Sequence, residues 1–185
     1  MSRIENLREE LGGSHPLAVK KINDYLEPWV QAFIAQSPFA VLSSCDADGN
    51  CDASPKGGRP GFIKVVDERT LLMPDIGGNW LFQSFSNFES NPKAALLFMI
   101  PGMDVTIRVN GRIEVLSAEE LSEKNLEPEL FMTDKNSVVI QAITLSVNEA
   151  YFHCPRSFKF ANLWDPDQIS SNADRSIRDF IRDAT

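Results

Sequence analysis

The sequence predicts a mainly β fold, a small closed β-barrel of six or seven antiparallel strands with peripheral helices. Short apolar runs separated by tight turn signals are typical of such barrels, and four of them precede residue 74. Apolar and polar residues alternate across 105–115, which is the clearest strand pattern in the chain. Helical periodicity occurs near both termini and once after the fourth strand, which places helices at the periphery of the barrel.

The chain has 185 residues, the size of one domain with a sizeable core. We expect an N-terminal helical arm packed on the barrel (1–36), the barrel itself (37–165) and a C-terminal helical tail (166–185). Hydrophobic residues make up 43% of the chain and charged residues 24%, as in ordinary globular proteins.

Residues 14–36 are predicted to be helical. Ser14 is a suitable N-cap and Pro16 suits an early helical position, whereas Pro28 is expected to kink the helix or divide it in two. The wide apolar stripe of this segment, which favours packing on the barrel, comprises Leu17, Ile22, Leu26, Trp29, Val30 and Phe33.

The first four strands are predicted over residues 39–44, 51–54, 62–66 and 70–73. Residues 46–49 carry turn chemistry and join the first two strands into a hairpin. The segment 55–61 is too rich in glycine and proline to continue a central strand, so we expect the second strand to end at Ser54.

The stretch from Pro74 to Asn91 is a candidate anion site. Pro74 is expected to end the fourth strand, Gly77-Gly78 let a ligand approach the backbone, and Asn79 is a suitable N-cap for a helix. The free N–H groups and the dipole of such a helix start favour phosphate. The predicted apolar face of the helix comprises Leu81, Phe85 and Phe88. The alternative is an ordinary strand-to-helix connection, which the pattern taken alone favours.

The remaining strands are predicted over residues 94–100, 105–115 and 138–147, the last continuing through Phe152. Asn110-Gly111 is a strong hairpin signal, but the alternation continues unbroken through Gly111. We therefore favour one long strand in which the glycine admits a closely packed neighbour. Beyond the strands we predict a short helix at 118–125, a loop or short helix at 155–164 and an amphipathic tail at 174–183.

The charge and the sequence motifs exclude several classes of function. A net charge of −8 argues against nucleic acid or an anionic membrane as the main partner. No apolar segment is long enough to span a bilayer, so a cytoplasmic location is expected. The three cysteines lack metal-type spacing and the chain has two histidines, so we expect reduced cysteines and no metal site.

The polar residues that remain suit an anionic, planar ligand. Lys56 lies in a glycine-flanked bend, Arg108 and Arg112 share one strand face, and Trp164 offers an aromatic lid. The alternative is that the two arginines are solvated residues paired with nearby acids, and spacing alone favours that alternative. No Ser/His/Asp set, P-loop or dinucleotide-binding glycine motif supports another chemistry.

An ordered set of short motifs resembles a known family. The motifs are Ser54-Pro55-Lys56-Gly57, Pro74-Asp75 with Gly78-Asn79, Asn91-Pro92, Pro101-Gly102, the run 106–112 (TIRVNGR), Cys154-Pro155-Arg156-Ser157 and Leu163-Trp164. Together they are similar to the pyridoxamine 5′-phosphate oxidase-like FMN-binding proteins, in particular to an uncharacterised branch, over roughly 39–164. Each motif is weak, but their order is specific.

The resemblance implies an FMN-binding split barrel that forms a homodimer, with FMN at the subunit interface. It implies an oxidoreductase that acts on a small molecule, in which the flavin performs the redox chemistry and no catalytic acid or base is required. By this resemblance the FMN-binding residues are Ser54, Pro55, Lys56, Gly57, Met73, Pro74, Asp75, Asn79, Thr106, Arg108, Arg156, Ser157 and Trp164.

Two features depart from the family pattern. True pyridoxamine 5′-phosphate oxidases carry an arginine- and histidine-containing signature near the C-terminus, which is absent from 157–171 here, so vitamin B6 oxidation is not expected. Relatives also place a basic residue where this chain has Trp80-Leu81, which is expected to weaken FMN binding. A non-catalytic flavin-binding or storage protein, and a protein of the same fold that uses deazaflavin or haem, remain alternatives.

Overall fold

The computed structural model describes residues 2–13, 19–76, 81–128 and 139–183. The strands are β1 (Phe39–Cys45), β2 (Cys51–Gly57), β3 (Lys64–Asp67), β4 (Thr70–Ile76), β5 (Lys93–Met99), β6 (Thr106–Leu116) and β7 (Val139–His153). The helices are α1 (Arg3–Glu10), α2 (Pro28–Gln36), α3 (Gln83–Ser90), α4 (Ala118–Glu123), α5 (Arg156–Ala161), α6 (Pro166–Asn172) and α7 (Ile177–Asp183).

The strands form one antiparallel sheet in the order β2-β1-β5-β6-β7-β4-β3, which confirms the predicted number and direction of strands. β6 and β7 are the longest strands and pair along their length in the middle of the sheet. The sheet is curled. Lys56 on the edge strand β2 lies within electrostatic reach of Asp75 on β4, the strand next to the opposite edge, which a flat sheet would not allow. The curl encloses the main core.

Two prolines lie inside strands that the sequence predicted to end before them. β2 continues through Pro55 to Gly57, and β4 continues through Pro74 to Ile76. Pro55 faces Val41 on an edge strand, so its missing N–H leaves no bond unmade. Pro74 pairs with Ala142 of β7 on one side. On its other side β3 pairs with β4 only as far as Leu72, so no strand there needs an N–H from Pro74.

The predicted helical segment is interrupted before Pro28. Residues 14–18 lie outside the described residues, 19–20 are helical, and a separate helix, α2, begins at Pro28, so the expected division into two helices is the outcome. Asn23 instead pairs with Ala150 of β7 through two backbone hydrogen bonds of 3.1 and 2.7 Å, and the Leu26 N–H donates to Glu68 O at 2.7 Å. Pro28 disfavours helical geometry at the residue before it. The backbone groups of Asn23 and Leu26 therefore bond to β7 and to the turn after β3 instead of within a helix.

Helix α3 also begins later than predicted. Its N-cap is Phe82, which has a left-handed φ of 53° and no side-chain capping bond, and Leu81 is 63% exposed. The predicted cap Asn79 and the pair Gly77-Gly78 lie outside the described residues. The predicted apolar face is confirmed at Phe85 and Phe88, whose rings meet edge to face with centroids 6.1 Å apart.

The alternative of a hairpin at Asn110-Gly111 is wrong, because β6 runs unbroken through both residues. The register with β7 shifts between them, which marks a β-bulge. A Cβ added to Gly111 would collide with the carbonyl oxygen of Ser146 and with the side chain of Leu145. The glycine therefore admits a close approach of β7, as the alternation predicted.

The main core lies inside the curled sheet, with α2 and α3 packed against its strands. Its fully buried members include Leu26, Leu42, Phe98, Ile107 and Leu145. A second, smaller cluster joins β4, β6 and β7 to α4 and comprises Leu72, Leu116, Leu121 and Ala142. The two clusters use opposite faces of β4, which explains the unbroken apolar run Leu71-Leu72-Met73 in that strand.

The C-terminal segment forms three short helices. The predicted loop or short helix at 155–164 contains α5, and the predicted tail contains α7, whose apolar residues Ile177, Phe180 and Ile181 are each more than half exposed. Helix α6 lies within the C-terminal helical tail predicted over 166–185, ahead of the amphipathic stretch 174–183. Its signal is Asp165-Pro166, an N-cap whose carboxylate accepts from the N–H groups of Asp167 and Gln168, followed by proline at the first helical position.

Candidate cofactor-binding site

Strand β2 presents its polar residues to the inside of the curled sheet. Asp52, Ser54 and Lys56 are half-buried and alternate with exposed neighbours. Ser54 lies opposite Leu42 and Lys56 opposite Ala40, which are both buried core residues of β1. Burial lowers the pKa of Lys56, and the negative charge of Asp75 partly offsets this effect. The inner edge of β2 therefore carries a partly desolvated cation.

Asp75 lies across the gap from Lys56, one residue before the end of β4. Its carboxylate Oδ2 accepts a hydrogen bond from Gln141 Nε2 at 3.3 Å. Burial raises the pKa of Asp75, while the Gln141 bond and the charge of Lys56 act in the opposite direction. Among the described ion pairs, none joins Lys56 to Asp75 within 4.0 Å. The lysine is therefore available to a ligand anion.

Replacement of Asp75 by asparagine is expected to leave stability at pH 7 unchanged or higher. The raised pKa means that the folded protein holds this proton more tightly than the unfolded chain, whose carboxyl titrates near 3.8. The free energy of unfolding of the wild type should therefore decrease as the pH rises from 3.8 through the pKa that Asp75 has in the folded protein. Urea unfolding between pH 4 and pH 7 should show this loss flattened in Asp75→Asn and unchanged in Glu123→Gln, an exposed control on α4. An equal loss of stability at every pH would contradict it.

A cavity of about 450 Å³ adjoins the Asp75–Gln141 pair. It lies between α3 and the inner faces of β6 and β7, and Gln141 forms part of its wall. The other residues that line it are Phe82, Phe85, Ser86, Phe88, Glu89, Ile113 and Val115. Three phenylalanines and two aliphatic residues make it suitable for a planar, largely apolar group, and Gln141 and Glu89 add an amide and a carboxylate to its wall.

A buried amide holds α3 beside β2. Asn87 Nδ2 donates to Ser44 Oγ at 2.9 Å and to Asp52 Oδ2 at 2.8 Å, so the helix is tied to both β1 and β2. Asn87 is 7% exposed, and its two bonds satisfy both amide hydrogens. This network positions the aromatic wall of the cavity relative to Lys56.

Thr106 and Arg108 lie on the opposite face of the sheet from Lys56. Arg108 pairs with Leu97 and Tyr151, whereas its neighbour Ile107 points into the core. Its guanidinium carbon lies 4.8 Å from the centroid of the Tyr151 ring, and its buried Nε has no hydrogen-bond partner among the described residues. The structure therefore does not bring Arg108 to Lys56 within one chain.

The predicted residues after β7 are also separate from Lys56. Arg156 and Ser157 are exposed at the start of α5, and the Arg156 guanidinium stacks on Phe160 of the same helix at 5.1 Å. Trp164 Nε1 donates to Met103 O at 2.9 Å and its ring lies 6.0 Å from that of Phe158. Trp164 thus packs near the start of β6, at the end of the sheet that carries Thr106 and Arg108.

The thirteen predicted residues therefore fall into separate groups, apart from Asn79, which is not described. Ser54, Lys56, Met73 and Asp75 face the inside, whereas Pro55, Pro74, Thr106 and Arg108 face the other side of their strands. Sequence reasoning missed Gln141. Its signal was a polar residue that shares a strand face with the core residues Ile143 and Leu145.

Comparison with known proteins identifies the family. The model of the family described as "Pyridoxamine 5'-phosphate oxidase" matches residues 26–154, which cover β1 to β7. This chain belongs to the pyridoxamine 5′-phosphate oxidase family, as the motifs predicted.

Individual relatives share between 15% and 34% of their residues with this chain over the matched parts. A pyridoxine/pyridoxamine 5′-phosphate oxidase from Bordetella petrii is 34% identical over 109 residues, which are 52% of this chain and 44% of that protein. The matched segment thus spans less than half of that relative. A provisionally assigned pyridoxamine 5′-phosphate oxidase from Lactobacillus delbrueckii has a similar structure, with a TM-score of 0.52, 20% identity and coverage of 70% of this chain and 95% of that one. HupZ of Group A Streptococcus has a TM-score of 0.50 at 15% identity, with coverage of 69% and 99%. These likenesses establish the split-barrel fold.

The described part of the chain contains no helix that is both long enough and apolar enough to cross a membrane.

Proposed function

We propose that this protein binds FMN as a homodimer and is an oxidoreductase that acts on a small molecule. The observation that carries the proposal is the half-buried Lys56, which makes no direct ion pair with another described residue and is linked through Asp75 and Gln141 to an aromatic cavity of about 450 Å³. A phosphate needs a cation and an isoalloxazine ring needs a flat apolar wall. Lys56 supplies the cation, and the cavity lined by α3, β6 and β7 supplies the wall.

The residues of this chain fit the phosphate and the ring of FMN. Lys56 would hold the phosphate, since a partly desolvated ammonium gains more from a dianion than a solvated one does. Phe85 and Phe88 would exclude water from the ring, and Gln141 would offer hydrogen bonds to its polar edge. When bound, FMN supplies hydride and electron transfer.

The outer face of the sheet supports the dimer. Val41 on β1 and Leu97 and Met99 on β5 are only half-buried in the single chain, and they form an apolar surface beside Arg108. We propose that two chains meet on this face, which would bring the Thr106 and Arg108 end of one subunit near a flavin held by the other. The interface and the convergence of Arg156, Ser157 and Trp164 on the flavin are parts of this proposal.

The test is reconstitution of the purified protein with FMN and with riboflavin, followed by absorbance and light scattering. We expect a flavin spectrum, at least tenfold tighter binding of FMN than of riboflavin because only FMN carries the phosphate, and a mass near twice 20.7 kDa. Equal affinity for the two flavins would refute the phosphate site. A monomer that retains FMN would refute the interface, and bound flavin that NADH and NADPH leave oxidised would favour a flavin-storage role.

A further inference from the structure

Two free cysteines lie opposite one another in the β1–β2 hairpin. Cys45 is the last residue of β1 and Cys51 is the first residue of β2, and the antiparallel register pairs them directly. Directly opposite residues of such a pair project from the same face of the sheet. Cys51 is exposed and Cys45 is half-buried, so solvent reaches the pair. We call these two residues the hairpin dithiol.

The hydrogen bonds of the hairpin set the distance across the hairpin dithiol. The Asp46 N–H donates to Asn50 O one step beyond the cysteines, and the Gly58 N–H donates to Pro38 O at the other end of the hairpin. Hydrogen-bonded and non-hydrogen-bonded pairs alternate along an antiparallel ladder, so the dithiol is a non-hydrogen-bonded pair. The Cα atoms of such a pair lie about 4.5 Å apart. This distance falls within the range of about 4.4–6.8 Å that a disulfide spans.

The hairpin dithiol also contacts the end of α3. Asn91, the C-cap of that helix, donates from its Nδ2 to Cys45 Sγ at 3.2 Å. The N–H of Ala47 in the hairpin turn donates to Ser90 Oγ at 3.2 Å. The residues next to the two cysteines accept the bonds of the buried amide that ties α3 to β1 and β2. Because α3 forms a wall of the aromatic cavity, a change at the dithiol reaches an element of the candidate site.

We propose that Cys45 and Cys51 are a modification site, which forms a reversible disulfide by exchange with a low-molecular-weight disulfide. The Cα separation is near the lower limit for a disulfide, and the bond would be exposed. Both properties make a disulfide easy to reduce, as in labile, regulatory bonds rather than structural ones. Cys45 is four residues, about 13 Å, beyond Val41 along β1, away from the surface proposed for the dimer. The inference does not depend on whether the protein binds FMN.

The exchange has two steps. The thiolate of the exposed Cys51 attacks one sulfur of the small disulfide, which forms a mixed disulfide and releases one small thiolate. The thiolate of Cys45 then attacks Cys51 Sγ, which forms the Cys45–Cys51 bond and releases the second small thiolate. The two protons that the cysteines lose are taken up by the two released thiolates. The protein is oxidised by two electrons and the small disulfide is reduced by two.

The disulfide would release a contact of α3. Cys51 lies on β2, on one side of β1, whereas Asn91 directly precedes β5, on the other side of β1. To bond with Cys51, the sulfur of Cys45 turns towards β2 and away from the Asn91 amide. The last turn of α3 then loses the side-chain bond of its C-cap. Oxidation of the hairpin should therefore loosen the C-terminal end of this helix.

Mass spectrometry after alkylation tests the disulfide. The chain has three cysteines, so Cys154→Ser leaves the hairpin dithiol alone. The reduced variant is incubated with excess oxidised glutathione and then alkylated in denaturant. We expect both alkylation sites to be lost without a retained glutathione, and both to return after treatment with dithiothreitol. A lasting glutathione adduct, two thiols that remain free, or a covalent dimer would overturn the proposal.

Variants of the same Cys154→Ser protein test the two steps and the register. Cys45→Ser should stop at a mixed disulfide on Cys51, because no second thiol resolves it. The matched control, Cys51→Ser with Ala53→Cys, moves the thiol along β2 to a position diagonal to Cys45. Diagonal neighbours are about 7–8 Å apart, beyond the roughly 7 Å that a disulfide can bridge. This control should also stop at mixed disulfides. An intrachain bond formed as fast as in the parent would overturn the assignment to the register.

Amide hydrogen exchange tests the effect on α3. Peptides that contain this helix are compared between the reduced and the oxidised parent protein. We expect at least about twofold faster exchange in the oxidised form, and equal exchange in peptides from the middle of β7. The Cys51→Ser variant, treated with the same oxidant, should not reproduce the change if the disulfide causes it. Equal exchange of α3 in both forms would overturn the link between the dithiol and the helix.

Discussion

Gly111→Ala is expected to destabilise the protein by about 3 kcal/mol, the upper end of the usual cost of overpacking a core. The new methyl group would overlap the carbonyl oxygen of Ser146, which is backbone in the neighbouring strand and cannot rotate away. The strand pair β6–β7 would have to separate at the bulge between Asn110 and Gly111, which lies in the middle of the sheet. The free energy of unfolding, measured by urea at pH 7, tests this value.

Gly57→Ala is the matched control for that experiment. Gly57 lies on the edge strand β2, and a Cβ there would have its nearest neighbour, the Pro38 carbonyl oxygen, at an ordinary contact distance of 3.6 Å. This variant should be within about 0.5 kcal/mol of the wild type, as is usual for substitutions away from the core. If Gly111→Ala were as stable as Gly57→Ala, the close approach of β7 at the bulge would be wrong.

Lys56→Gln is expected to weaken FMN binding roughly ten- to hundred-fold, which corresponds to about 1.5–3 kcal/mol for a hydrogen bond to a charged group. The substitution keeps a polar side chain of similar length but removes the charge that we assign to the phosphate. The affinity for riboflavin should change little, because riboflavin has no phosphate. Flavin fluorescence titrations of the two ligands measure both effects.

Lys64→Gln serves as the control, since Lys64 also lies on an edge strand of the sheet but its Nζ donates to the backbone oxygen of Glu127 at 3.4 Å. It should bind both flavins like the wild type. If Lys56→Gln weakened FMN and riboflavin equally, the lysine would support the pocket rather than the phosphate. If it weakened neither, the flavin phosphate would have to bind elsewhere.

The sequence carried most of the strand architecture. The alternation along 105–115 predicted a long strand despite its Asn-Gly pair, because side chains on a half-buried strand must change face at every residue. The expectation that proline ends a strand was wrong at Pro55 and Pro74. Proline is excluded only where a neighbouring strand needs its N–H, and a single sequence does not show which strands lie at an edge.

The candidate site was predictable in part. Lys56 and Asp75 were named from motifs, and the structure brings them towards one another across the opening of the curled sheet. Arg108 was assigned to the same site, but its position in β6 places it on the other face. Lys21 and Arg108 both lie over the Tyr151 ring although all three residues are far apart in the sequence, and no local pattern marks such a contact.

The sequence by itself determined the family, an antiparallel fold of six or seven strands and the strands that carry the basic residues, because periodicity, turn chemistry and ordered motifs are local properties of a chain. Only the tertiary structure decided which of those residues share a surface. The order of strands and the curl of the sheet place Lys56 beside Asp75 and Gln141, and they turn Arg108 outward to Tyr151. A one-residue difference in strand position reverses the face of a side chain, and the face decides whether a cation can reach a ligand.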